Sequence, residues 1–140
     1  MTIRYKLLSL ADAAVLLNVD EDAFDEPINP GRALAYLADT TNLMVVAIDG
    51  GKVVGQCAAV IHRHPDQATE LYIDNLGVAP SHQRQGIARE LMARMFEAGR
   101  ERGCKEAWVG TEPDNAAANA LYENLRGEPV EQFNFYLYKL

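Results

Sequence analysis

The stretch Val78–Met92, VAPSHQRQGIARELM, places two glutamines, an arginine and a glycine between an apolar run and a segment of helical periodicity. From Ile87 to Arg102 the apolar residues Ile87, Leu91 and Met95 fall at i, i+4 and i+8, and Gly103 follows as a stop signal. A helix start presents unpaired N–H groups and a partial positive charge, so it favours anions, phosphates above all. Gly86 has no Cβ to crowd an approaching oxygen, and the amides of Arg84, Gln85, Gly86, Ile87 and Ala88 are expected to donate to it. Gln83 and Arg84 add side-chain donors, Arg84 with charge. The stretch reads as a strand, a turn and a helix built around a phosphate, with an ordinary helix carrying a glycine in its first turn as the alternative.

Working outward, IRYKLL alternates as a first strand, and Ser9 with Asp12 three residues on has the spacing of a capping box before the helix LADAAVLL. An acidic loop, DEDAFDEPIN, precedes Asn29-Pro30, which opens a second helix, ALAYLAD. LMVVAI and KVVGQCAAVIHRH are strands joined by Asp49-Gly50-Gly51, a strong hairpin signal. ELYIDNLGV is a strand, EAWVGTE another, NAAANALYENL a short helix, and FNFYLYKL a closing strand. The order β-α-α-β-β-β-α-β-α-β predicts an α/β chain with a mixed sheet covered by helices.

Within ELYIDNLGV the apolar positions slip in parity, Leu71 and Ile73 on one side of Asp74-Asn75 and Leu76 and Val78 on the other. A β-bulge absorbs such a slip, leaves a backbone N–H without a ladder partner and splays the neighbouring strand. A strand buried on both faces is the alternative, since parity then carries no information.

The 140 residues suffice for one domain, 1–140, without disulfide or metal staples. A net charge of -7 argues against a nucleic-acid partner and is compatible with a cationic one. The opening MTIRYKLLSL lacks a leader pattern and no apolar run has bilayer length, so a soluble, cytoplasmic chain with no membrane partner is expected. Cys57 and Cys104 fit buried, reduced thiols. His62-Arg63-His64 puts two imidazoles on one strand face, but with no third ligand at a recognisable spacing it reads as a solvated hairpin tip, and no metal is expected.

Val78-x-Pro80 followed by Gln83-x-x-Gly86-x-Ala88 resembles the acetyl-CoA-binding motif of the GCN5-related N-acetyltransferases, and Asn115-x-x-Ala118-x-x-Leu121-Tyr122 resembles their second signature. The element order matches that fold, a mixed and mostly antiparallel sheet with helices on both faces, over nearly the whole chain. Phe24-Asp25-Glu26-Pro27, Glu70-Leu71-Tyr72-Ile73 and the short tail resemble more closely the aminoglycoside 3-N-acetyltransferases of that superfamily. In two places the chain departs from the pattern: Asn75 stands where an acidic residue is expected, with Asp74 beside it, and Arg126-Gly127-Glu128 replaces a Leu-Gly-Phe ending.

The resemblance implies that acetyl-CoA is the acetyl donor and that a primary amine of a cationic small molecule, an aminoglycoside acetylated at its 3-N position, attacks it directly in a ternary complex. The phosphate of the opening stretch is then the CoA pyrophosphate, held by Gln83–Ala88 with Asn115 as a further cofactor residue. Pantetheine amides can pair with the edge of the bulged strand through the backbone of Leu76 and Val78, and an N–H near Leu76 would face the developing oxyanion. In the resembled family Tyr122 has the position that protonates the departing thiolate. Glu112, then Asp74, are the candidates for accepting the amine proton. Asp25, Glu26, Asp74, Glu112 and Glu123 would form the acidic rim for the acceptor's ammonium groups. Acetylation of protein N-termini or polyamines is the alternative within the same chemistry, and a non-catalytic acyl-CoA-binding regulator is the alternative outside it. An aromatic strand at a sheet edge would need covering, which predicts a homodimer with Phe133, Phe135 and Tyr136 near the contact and Glu131 turned toward the partner's acceptor cleft.

Overall fold

The computed structural model describes residues 2–129 and 131–140, in two compact units, Met1–Gly110 and Thr111–Leu140. In the first unit the chain runs β1 (Arg4–Leu7), a 3-10 helix (Leu10–Leu17), α1 (Pro30–Ala38), β2 (Asn42–Asp49), β3 (Lys52–His62), β4 (Glu70–Val78), a short 3-10 turn (Pro80–His82), α2 (Ile87–Glu101) and β5 (Glu106–Val109). The second unit holds α3 (Ala116–Asn124).

Local chemistry sets most of these boundaries. The Asp12 carboxylate accepts from the Ser9 backbone N–H at 2.9 Å in the expected capping box. Asn29 Oδ1 accepts from the Arg32 N–H at 3.0 Å, with Pro30 at the first helical position. Gly50 and Gly51 take φ of +57° and +82°, the left-handed pair that a two-residue hairpin requires between Asp49 and Lys52. LADAAVLL is a 3-10 rather than an α-helix: only Leu16 is buried along it, so little packing fixes an α-helical pitch. The chain then leaves at Asn18 so that Val19 can bridge Val53 of β3.

The sheet order is β1-β2-β3-β4-β5, with the first three pairs antiparallel and β4–β5 parallel. Met44, Val46 and Ile48 alternate along β2 and pack with Val53 and Ala58 of β3 against Leu16 and Leu37 from the 3-10 helix and α1. On the other face, Ile87, Leu91, Met92 and Met95 of α2 are at most 2% exposed, each burial contributing roughly 1.5–3 kcal/mol. Glycine lets α2 lie close to the strands. A Cβ on Gly99 would stand 2.8 Å from Leu71 Cδ2, and one on Gly55 would stand 3.3 Å from both Ile87 and Leu91. The expected mixed, mostly antiparallel sheet with a helix layer on each face is thus present.

Several boundaries move. EAWVGTE is ordered as a strand only over Glu106–Val109, and the strand through His62 ends before Arg63 and His64. FNFYLYKL forms no strand: the described residues 131–140 have no ladder partner and lie exposed, with Phe135 at 82% and Leu137 at 84%. A strand is not stable by itself, because its backbone groups need a neighbouring edge. Met1 and Val130 lie outside the described residues, so the tail reading is untested at Val130. No helix among the described residues is long and apolar enough to cross a membrane.

Candidate active site

The bulge falls where the parity slips. In the β3–β4 ladder Ala58 pairs with Asn75 and Ala59 with Ile73, so Asp74 is the extra residue. The parallel pairing of β4 with β5 covers Glu70–Ile73 and stops there. From Asp74 to Val78, β4 has β3 on one side and, among the described residues, no strand on the other.

The orientation of that free edge follows from the ladder. Ala79 N–H donates to Val54 O at 2.8 Å, so Ala79 and, two residues back, Gly77 turn their backbone groups toward β3. Leu76 and Val78 therefore turn theirs away, to the open edge. Gln83 gives an independent check, because its Nε2 donates to Val78 O at 3.0 Å from that side. The Gln83 side chain thus ties the turn to the strand end.

Beyond it the chain winds tightly. Arg84 takes φ +61° and Gly86 φ +80°, and among the described residues nothing beyond its immediate chain neighbours comes within 4 Å of a Cβ built on Gly86. The glycine is required by its dihedral, and the space beside it is open. α2 begins at Ile87 with no side chain capping it, leaving the Ile87 and Ala88 amides at a bare helix start. His82 anchors the turn from behind, with Nε2 2.7 Å from Asp49 Oδ2 and Nδ1 2.7 Å from Ser81 Oγ.

Electrostatics single out Asp74. The residue is exposed, yet partial desolvation of its carboxyl raises the pKa above the ordinary 3.8. Its charge acts on two neighbours. Burial first, and Asp74 second, raise the Tyr36 phenol, whose hydroxyl donates to Leu43 O at 2.8 Å, and push the Cys57 thiol up to about 12. Cys57 is fully buried, and its raised thiol carries little thiolate at neutral pH. The Asn75 side chain turns inward, where its Oδ1 accepts from Gln56 Nε2 at 3.0 Å. Gln56 is completely buried and also donates to Ala23 O at 3.2 Å, which ties the acidic loop carrying the exposed Asp25 and Glu26 to the bulge.

In the second unit Asn115 Oδ1 accepts from the Ala118 N–H at 3.1 Å and caps α3. Its Oδ1 therefore serves the helix start. Asn119 Nδ2 donates to Glu112 O at 3.0 Å and to Asn115 O at 2.9 Å, fixing the loop that carries the exposed Glu112. Tyr122 is half-buried on α3 and Glu123 is exposed beside it. The helix ends with Arg126 at φ +66°, and a Cβ on Gly127 would stand 2.9 Å from Tyr122 O, so glycine is needed where the chain crosses back over Tyr122.

Residues 13–127 match the family model described as the acetyltransferase (GNAT) family. The chain belongs to that family. It is similar to aminoglycoside N(6')-acetyltransferase type 1 of Salmonella typhimurium, 27% identical over 114 residues that cover 73% of this chain and 78% of the relative. It is also similar to the [ribosomal protein bS18]-alanine N-acetyltransferase of Escherichia coli, 38% identical over 72 residues, 51% of this chain and 47% of that one. Among solved structures, AAC(6')-Iy in complex with the bisubstrate analog CoA-S-monomethyl-acetylneamine superposes with a TM-score of 0.82 at 18% identity, covering 100% of both chains.

As a GNAT-family N-acetyltransferase the chain takes its acetyl group from acetyl-CoA. The first unit carries Asp74, Leu76 and Val78 on β4 and the Gln83–Ala88 turn tied to Val78, and the second unit carries Glu112, Asn115, Tyr122 and Glu123 on α3 and its leading loop. Gln56 was missed by the sequence reading, although a lone amide inside KVVGQCAAVI was a visible signal.

Proposed function

We propose that this GNAT enzyme acetylates a primary amine of a polycationic amino sugar of the aminoglycoside class. The observation that carries the reading is the acidic loop, held to the bulge through Ala23, Gln56 and Asn75, so that Asp25 and Glu26 belong to the same construction as Asp74. Several ammonium groups on one small acceptor suit several carboxylates at one cleft. The aminoglycoside relatives above are named for the 6' position, so 6' rather than the 3-N position expected from sequence is the amine to test first.

The reaction is a direct attack. The free amine forms a C–N bond to the thioester carbonyl while the Leu76 N–H, at the open edge of β4, donates to the oxyanion. The C–S bond then breaks, the thiolate takes the Tyr122 phenolic proton, and solvent returns a proton to Tyr122. Asp74 accepts the proton released from nitrogen, since a raised carboxyl pKa makes it the better base; Glu112, the first choice from sequence, becomes the second candidate and otherwise binds charge with Glu123. The pyrophosphate lies over the amides of Arg84 to Ala88, with Arg84 supplying a positive charge. Residues 1–140 act as one acetyltransferase domain, working in the cytoplasm. The exposed Phe133, Phe135 and Tyr136 are covered in a homodimer, which sedimentation at micromolar concentration tests directly.

CoA release in the presence of kanamycin-type, gentamicin-type, polyamine and peptide acceptors decides the acceptor class. Turnover restricted to the aminosugars supports the proposal. Turnover restricted to a peptide N-terminus would favour the second reading, which the 38% identity to the bS18-alanine acetyltransferase supports. Tight acetyl-CoA binding with no turnover on any acceptor would favour a regulator.

A further inference from the structure

At the far end of β4 from the pantetheine edge, His62, His64 and Glu70 each place one ligand atom within 4.8 Å of the others. His62 is the last residue of β3 and pairs with Glu70, the first of β4. His64 lies two residues on, and its ring centroid is 4.1 Å from that of His62, with the rings tilted by 37°. His64 Nε2 stands 3.5 Å from Glu70 Oε2. That nitrogen is shielded from water and, among the described residues, has no hydrogen-bond partner.

A tetrahedral zinc ion, with metal–ligand bonds of about 2.0–2.1 Å, holds its nitrogen and oxygen ligands roughly 3.3–3.5 Å apart. The His64–Glu70 separation already has that length. His62 is exposed and needs only a side-chain rotation to shorten the longer edges. A second carboxylate stands nearby, because Glu70 pairs with Glu106 of β5. Like charges in register on adjacent strands are unfavourable unless a cation offsets them.

We propose that His62, His64 and Glu70 form a binding site for a late first-row divalent cation, with zinc as its representative and water in the fourth position. Two imidazoles and one carboxylate suit zinc and its neighbours better than magnesium or calcium, which prefer all-oxygen sets. Glu70 and Leu76 are six residues apart on β4, about 20 Å at strand rise. The ion therefore clasps the β3–β4 hairpin and takes no part in acetyl transfer.

The test uses the untagged full chain after chelator treatment, titrated with zinc chloride by calorimetry and with Co²⁺ by absorbance. One equivalent of each metal is expected, with tetrahedral d–d bands and no thiolate charge transfer. Zinc at a hundredfold excess over its Kd should raise Tm by roughly 5–10 °C. His64→Gln and Glu70→Gln should each weaken binding at least about tenfold while the circular dichroism and acetyl-CoA affinity are retained. Absence of saturable binding would overturn the proposal and leave a His64–Glu70 ion pair. Binding that survives in both variants, or that carries a thiolate band, would overturn it as well.

Discussion

Gln56 Nε2 donates to Asn75 Oδ1 at 3.0 Å and to Ala23 O at 3.2 Å, so one buried amide joins the middle of β3, the bulge of β4 and the acidic loop. Space at this junction is tight: a Cβ on Gly77 would stand 2.6 Å from Ala23 O. Gln56→Met keeps the volume and removes both donors, leaving the Ala23 carbonyl without its partner. The expected cost is about 1–3 kcal/mol in denaturant unfolding. If the amide positions the loop, KM for the acceptor should rise more than KM for acetyl-CoA.

Arg84 is a bulky residue held at φ +61°, a conformation that costs on the order of 1 kcal/mol and concentrates at functional sites. Arg84→Gly should therefore raise thermal stability slightly while weakening acetyl-CoA through the lost charge. Opposite signs in Tm and in cofactor affinity are the expected pair of results. A parallel loss of both would show that Arg84 supports the fold.

Asp74 has a raised carboxyl pKa, with desolvation as the main cause. The folded chain holds that proton to higher pH than the unfolded chain does, so the group's contribution to stability falls as pH rises from about 3.8 through the folded value. Asp74→Asn should accordingly raise Tm at neutral pH and leave it nearly unchanged in acid. Activity should fall at every pH, and the acidic limb of the rate profile should flatten if Asp74 is the base. A flat Tm difference across pH would contradict the desolvation.

Tyr122→Phe keeps the ring on α3 and removes only the hydroxyl. Turnover should drop by about a hundredfold, with acetyl-CoA affinity retained. Unchanged turnover across pH would mean that the thiolate is protonated by water.

What could be read from the sequence follows from how local each signal is. The Asn29 cap, the Gly50-Gly51 turn and the left-handed Gly86 are decided by their own backbone needs, and each stands where its residue type placed it. The bulge was legible because Asp74 breaks the apolar parity of a strand with its own periodicity. Contacts between distant segments were not. Nothing near Gln56 reveals Ala23 as its partner, and nothing near His64 reveals Glu70. Gln83 and Asn115 each also hold a backbone partner, which residue type alone did not show, because an amide this close to a strand end or a helix start finds one there. FNFYLYKL has strand composition, yet a strand also needs an edge, and composition does not supply one.

The central claim is that acetyl-CoA lies along the open edge of β4 with its pyrophosphate at the start of α2. Titrating acetyl-CoA into the ¹⁵N-labelled chain and following each backbone amide by NMR tests it most directly. The largest shifts, together with slowed hydrogen exchange, are expected at Leu76, Val78, Gly86, Ile87 and Ala88, and Gly86→Asp should abolish them while the remaining spectrum stays native. Saturable acetyl-CoA binding that leaves those five amides unmoved would contradict the account.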